Sequence, residues 1–166
     1  MKSFATVTSI VVLAGCATAY QPEGFSGGFS ETQLDTNVFR VSFKGNGKTS
    51  ADRAEEMALL RSADLALKNG FTHFVILDGK SRAERGTFTT PLQANTTGSA
   101  SVYGNTAYGS STTTFTGGQT FAIVKPSTTN TIMCFKERPQ VDGFVYDARF
   151  IYNSLGQKYG LIPAGR

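Results

Sequence analysis

Residues 39–77 read FRVSFKGNGKTSADRAEEMALLRSADLALKNGFTHFVIL, and the change of period along this stretch decides the fold. Phe39, Val41 and Phe43 alternate with Arg40 and Ser42, the period of two of a half-buried strand. Gly45-Asn46-Gly47 is a turn signal, and Thr49 followed by Asp52 has the spacing of a capping box. The following run is rich in Ala, Leu, Met, Glu and Arg, which predicts a helix over 50–69 stopped by Gly70. Its large apolar residues, Met57, Leu59, Leu60, Leu65 and Leu67, spread around the wheel, so the helix should be covered on more than one side. Residues 71–77, FTHFVIL, are apolar on both faces and read as an interior strand. The unit is β-α-β, with its two strands either adjacent or separated by a third.

The same stretch has the outline of a phosphate-binding loop, because a strand and a Gly-rich turn lead into Lys48-Thr49 and a helix. That loop requires G-x-x-x-x-G-K-[ST], and the position of its first glycine holds Ser42. Without that glycine the backbone N–H groups cannot wrap around a phosphate. Nucleotide is therefore not expected as a ligand, and Gly45–Gly47 reads as a turn before a capped helix.

Beyond residue 86 the composition shifts to Thr, Ser, Gly and Asn. Residues 87–119 predict an exposed hairpin with a long, mobile tip at 98–111, the alternative being disorder of the whole tip. Residues 119–124 and 131–135 read as two strands joined through KPSTTN. Ala148, Ile151, Tyr152, Leu155 and Tyr159 follow helical spacing and predict an amphipathic helix over 148–159, ended by Gly160. The fold expected is α+β: a mostly antiparallel sheet with a β-α-β start, two packing helices and a protruding Thr/Gly-rich hairpin.

The N-terminus has a different character. Lys2 precedes a short apolar run ending in Leu13-Ala14-Gly15-Cys16, too short for a spanning helix. Residues 1–15 read as a secretory signal. LAGC resembles the lipobox of bacterial lipoproteins. The resemblance implies cleavage between Gly15 and Cys16 and attachment of diacylglycerol and a further acyl chain to Cys16. Two or three chains anchor firmly, each buried CH₂ contributing about 0.8 kcal/mol. Ala17 after the cysteine resembles an outer-membrane address. Residues 16–37 are expected as a lipidated tether that lies against the body, since Tyr20, Phe25 and Phe29 exceed what a linker needs. Residues 38–166 are expected to form one domain, in keeping with the length of 166 residues.

With 17% charged and 40% hydrophobic residues the chain is globular, not disordered. The net charge of +4 comes from scattered Lys and Arg, with no basic tract, so no nucleic-acid partner is expected. Candidate catalytic groups read as structural. Cys134 lies in an apolar run and reads as a buried thiol. His73 sits mid-strand, Asp78 beside Gly79 suits a turn, and Glu55 and Glu56 fall on a solvated helix face. No cluster of His, Cys and carboxylate suggests a metal, and no cofactor is expected. Tyr103 and Tyr108, aromatics among small polar residues, read as a candidate contact surface, unless the rings pack back onto the hairpin.

The motifs YQPEGFSGGFSETQLDTNVFRVSFKGNGKTS, LLRSADLALKNGFTHFVIL, KPSTTNTIMCF and VYDARFI together resemble a family of small proteobacterial envelope lipoproteins of uncharacterised function. The resemblance runs from about Tyr20 to the C-terminus and carries no catalytic residue with it. It implies an envelope lipoprotein and leaves the activity open. A non-enzymatic binding or scaffolding module is expected, anchored through Cys16 in the outer membrane, with an envelope protein or the cell wall as partner. The alternatives are a surface-exposed adhesion or host-contact protein, and an envelope enzyme acting on glycan or peptidoglycan.

Overall fold

The computed structural model describes residues 17–163. In chain order its elements are β1 (Gly28–Asp35), β2 (Val38–Lys44), α1 (Ala51–Lys68), β3 (His73–Thr89), β4 (Gln93–Tyr103), β5 (Thr106–Thr116), β6 (Thr120–Phe135), β7 (Tyr146–Asp147) and α2 (Ala148–Lys158). Five strands form one sheet in the order β1-β2-β6-β3-β7, with every neighbouring pair antiparallel. β4 and β5 form a second sheet of their own. The architecture is α+β with a β-α-β start. β6 lies between β2 and β3, so of the two arrangements open to that unit the separated one is adopted.

The period-two alternation of β2 buries Phe39, Val41 and Phe43 against α1, beside Phe74 of β3 and Ile132 and Cys134 of β6. Antiparallel sheets commonly keep one face in water, and the opposite face here carries Arg40, Ser42, Thr129 and Thr131. α1 is covered on two sides, by the sheet and by Tyr152, Leu155 and Tyr159 of α2. It ends in a Schellman arrangement, with Phe71 N–H on Ala66 O and Gly70 N–H on Leu67 O, and this sets Gly70 at φ +77°. In α2, Gly156 leaves room for Ile162, which would stand 2.9 Å from a Cβ there. That packing is the return for a glycine within a helix.

Several expectations are corrected. The cap of α1 is Ser50, whose hydroxyl accepts from Arg53 N–H at 3.2 Å, while the Thr49 hydroxyl is engaged with Thr18 and Asn46. The two strands expected over 119–124 and 131–135 do not break at KPSTTN; Thr120–Phe135 is the one continuous strand β6. Pro126 is tolerated because β2 has already ended at Lys44, paired with Ser127. Asp78 and Gly79 do not turn. They continue β3 past a bulge between Ile76 and Asp78. Finally, the segment read as a tether supplies β1, an edge strand of the sheet.

Candidate functional site

From Leu77 onward every residue of β3 is exposed, as is every residue of β4 and β5. Together with the first part of β6 these strands form an arm that leaves the body. The ladder of β4 and β5 is unbroken from Gln93 opposite Thr116 to Tyr103 opposite Thr106, so residues 98–111 are two regularly paired strand segments closed by a tight turn and not an irregular tip. Gly104, at φ +60°, and Asn105 make the turn. Tyr103 and Tyr108 are diagonal neighbours on one face, 85% and 67% exposed. Their rings are presented to solvent and are not packed back.

The register sorts the arm into two faces. One carries Asn95, Thr97, Ser99 and Ser101 opposite Thr114, Thr112, Ser110 and Tyr108. The other carries Ala94, Gly98, Ala100 and Val102 opposite Phe115, Ser111, Gly109 and Ala107. Between Arg85 and Lys125 there is no Asp, Glu, Lys or Arg.

The root of the arm lies where the described chain begins. Thr18, buried, donates from its backbone to Thr49 Oγ1 at 3.1 Å and accepts from Asn46 N–H at 2.9 Å. Beside Asn46 and Gly47 lies a groove lined by Lys48, Phe88, Phe121, Ile123 and Lys125. Phe25, fully exposed, shares a neighbouring depression with Lys44 and Lys125. Gly15 and Cys16 themselves lie outside the described residues.

A buried polar cluster fastens the N-terminal segment. Arg61 binds Glu31 through Nε at 3.2 Å and Nη2 at 2.6 Å, and Asp64 through Nη1 at 2.7 Å. Tyr20 Oη donates to Asp64 at 3.0 Å, and Lys68 closes on the same oxygen at 2.9 Å. Burial pushes the Tyr20 phenol well above its ordinary range. Burial alone would lower the Arg61 guanidinium, but Glu31 and Tyr20 outweigh it and hold the guanidinium above its usual value. This cluster has the form of a structural clasp, with every charge answered.

The candidate catalytic groups are not brought together. Cys134 faces α1, with its thiol pushed up to about 12 by burial, whereas its strand neighbour Phe135 and the opposed His73 lie on the other face. Asp78 is exposed and paired with Lys80 at 2.8 Å. Glu56 binds Lys158 and Tyr159, joining α1 to α2. Glu55 accepts from Ser81 at 2.8 Å. Lys48 is exposed at the turn, its N–H on Asn46 Oδ1 at 2.9 Å. The one sign of the clasp legible in the sequence is Tyr20, an aromatic standing in a Pro- and Gly-rich segment.

Comparison with protein-family models, with curated proteins and with solved structures finds no match for this chain in any of the three.

Proposed function

We propose that this protein is a lipoprotein of the bacterial cell envelope, anchored through acylated Cys16, and that it acts without catalysis by presenting the β4–β5 arm to a partner. One observation carries this reading: a hairpin of two 11-residue strands, exposed throughout, rises beside the point from which the chain runs back to Cys16. Such a projection contributes almost no apolar burial to the body, so stability does not account for its length. The separation of His73, Asp78 and Cys134 favours binding over envelope hydrolysis. The same arm could serve adhesion to a host, with Tyr103 and Tyr108 outermost, since exposed aromatics among Ser and Thr suit adaptable contacts.

The test is photo-crosslinking in living cells, with a benzophenone amino acid placed at Tyr103, Tyr108 and, for comparison, Arg40 on the body. Adducts at the two arm positions and none at Arg40 are expected, together with palmitate labelling that Cys16→Ser abolishes. Adducts confined to Arg40 would move the working surface to the open face of the sheet. Labelling that survives Cys16→Ser would remove the anchor. Protease sensitivity of the arm on intact cells would favour the adhesion role.

A further inference from the structure

We infer that the partner of the arm is the bilayer together with further copies of this chain: the β4–β5 hairpin is a membrane-inserting element that contributes two strands to a β-barrel closed between protomers. This rests on the reading of the arm as the working part of an anchored protein.

Length is the first argument. A strand of 11 residues at about 3.3 Å each reaches roughly 36 Å, and tilted by about 40° it spans about 28 Å, close to the hydrocarbon thickness of a bilayer. No described helix is long and apolar enough to cross a membrane, but strands can do so when their edges are closed.

Charge is the second. Arg82, Glu84, Arg85 and Lys125 stud the exposed ribbon below the hairpin, and then charge stops for the whole of β4 and β5. An arm made for water protects its exposed edges with charge, proline or bulges. This one has an even ladder with no charge along either edge, which suits a low-dielectric surrounding and a strand-pairing partner.

The third argument is the alternation. One face carries Asn, Thr, Ser and Tyr, and the other Ala, Gly, Val and Phe with two Thr and one Ser. A lumen face and a lipid face alternate in this way along a transmembrane strand. Aromatic residues mark the root of the span, Phe115 on the apolar face and the directly opposed pair Phe88 and Phe121 below it, while Tyr103 and Tyr108 at the tip lie on the polar face. Rings at the root suit the membrane interface on that side. Around the root Lys44 is paired with Glu23 at 2.7 Å and Lys125 stands opposite Glu84, which leaves Lys48 as the exposed cation best placed to meet an anionic headgroup on the side where the chain leads to Cys16.

One hairpin leaves two rows of backbone groups unpaired, which lipid does not tolerate. Neighbouring copies must therefore supply the missing pairing, about four of them for the smallest barrels of roughly eight strands. At the root the hairpin sheet is distinct from the body sheet, joined through Gly117 and Gly118 at φ +98° and +71° and held by hydrogen bonds between Thr90 and Gln119. The hairpin can thus pair with its neighbours without disturbing the body.

The experiment uses the full chain reconstituted in vesicles of phosphatidylethanolamine and phosphatidylglycerol, in the native form and in a Cys16→Ser background. Ser99, Ala100, Ser101 and Val102 are changed singly to Cys and labelled with an environment-sensitive fluorophore; the buried Cys134 thiol stays unlabelled. Residues 100 and 102 are expected to be quenched by spin-labelled lipid, and 99 and 101 by aqueous iodide. Ala100→Arg and Val102→Arg should lose insertion and vesicle leakage, whereas Ser101→Arg should keep both. Equal iodide quenching at all four positions would overturn the proposal. So would a vesicle-bound protein that crosslinks only as a monomer, or an arm that stays in water and captures a protein. The alternating pattern with no lipid on Cys16 would refute the anchor and leave insertion standing. Lipid on Cys16 with four aqueous positions would do the reverse.

Discussion

Arg61 of α1 grips both carboxylate oxygens of Glu31 on the outermost strand β1, at 2.6 and 3.2 Å, with its guanidinium 4.0 Å from the centroid of the Phe29 ring. One side chain thus closes the edge of the sheet onto the helix. Asp64 on its other side carries Tyr20, so the same arginine indirectly seats the segment that leads to Cys16.

Replacement of Arg61 by Ala should therefore be among the most damaging single changes. It leaves the buried Asp64 with Lys68 and Tyr20 alone, strips Glu31 of its partner and removes the cover of Phe29. We expect a loss of roughly 2–3 kcal/mol, below the range for a fully buried pair because Glu31 is still partly solvated. The thermal midpoint should fall by roughly 5–10 °C for a chain of this size. Arg61→Lys should recover only part of this, since an ammonium cannot hold Glu31 with two parallel bonds. A midpoint unchanged in Arg61→Ala would show the clasp to be ornamental.

Glu56 gives a pH dependence of known sign. Its hydrogen bonds to Lys158 and Tyr159 hold the carboxyl below its ordinary value of 4.5. A depressed carboxyl stabilises the fold above its unfolded pKa, and that contribution is lost as pH falls through the folded value. Wild type should exceed Glu56→Gln in stability at pH 7, by less than about 1 kcal/mol because the pair is half-exposed, and the gap should close as pH falls below the carboxyl's folded value. Thermal melts taken from pH 7 down through the acid range check this; a constant gap would place the effect in packing.

Cys134 should behave as a reporter of unfolding. It is buried and its thiol is pushed up to about 12, so iodoacetamide at pH 8 should not modify the folded chain. Modification should follow the opening of the core, with a rate that rises when Arg61→Ala destabilises it. Prompt alkylation of the native protein would contradict the burial.

The legible parts of the fold were those where pattern and burial coincide. The helix predicted over 50–69 runs Ala51–Lys68 with Ser50 and Asn69 as its caps, and the second, predicted over 148–159, runs Ala148–Lys158. β1 was hidden because its inward positions are Phe29, Glu31 and Gln33; the ion pair with Arg61 replaces the apolar alternation that marks a strand. The unity of β6 was hidden because KPSTTN carries turn-forming residues, and only the early end of β2 makes Pro126 harmless. Thr49 looked like the cap because sequence cannot show that Thr18 occupies its hydroxyl. In the arm, Tyr103 and Tyr108 were found as candidates, but their common face follows from the register Ser101–Tyr108, which the turn at Gly104 sets.

Excision of residues 98–111 in favour of Asn-Gly tests how independent arm and body are. The register places Thr97 directly opposite Thr112, so the replacement leaves a two-residue hairpin connection of the kind Asn-Gly favours. All the residues removed are exposed, and loop closure changes by only about 0.6 kcal/mol per doubling of length. The thermal midpoint should stay within a few degrees, since ~1 kcal/mol corresponds to about 2–4 °C. Vesicle leakage and crosslinking between copies should vanish with the span. A truncated chain that no longer folds would show that the arm supports the core. A well-folded chain that still crosslinks between copies and leaks vesicles would transfer both activities to the root, where Phe25, Phe88 and Phe121 stand exposed among lysines.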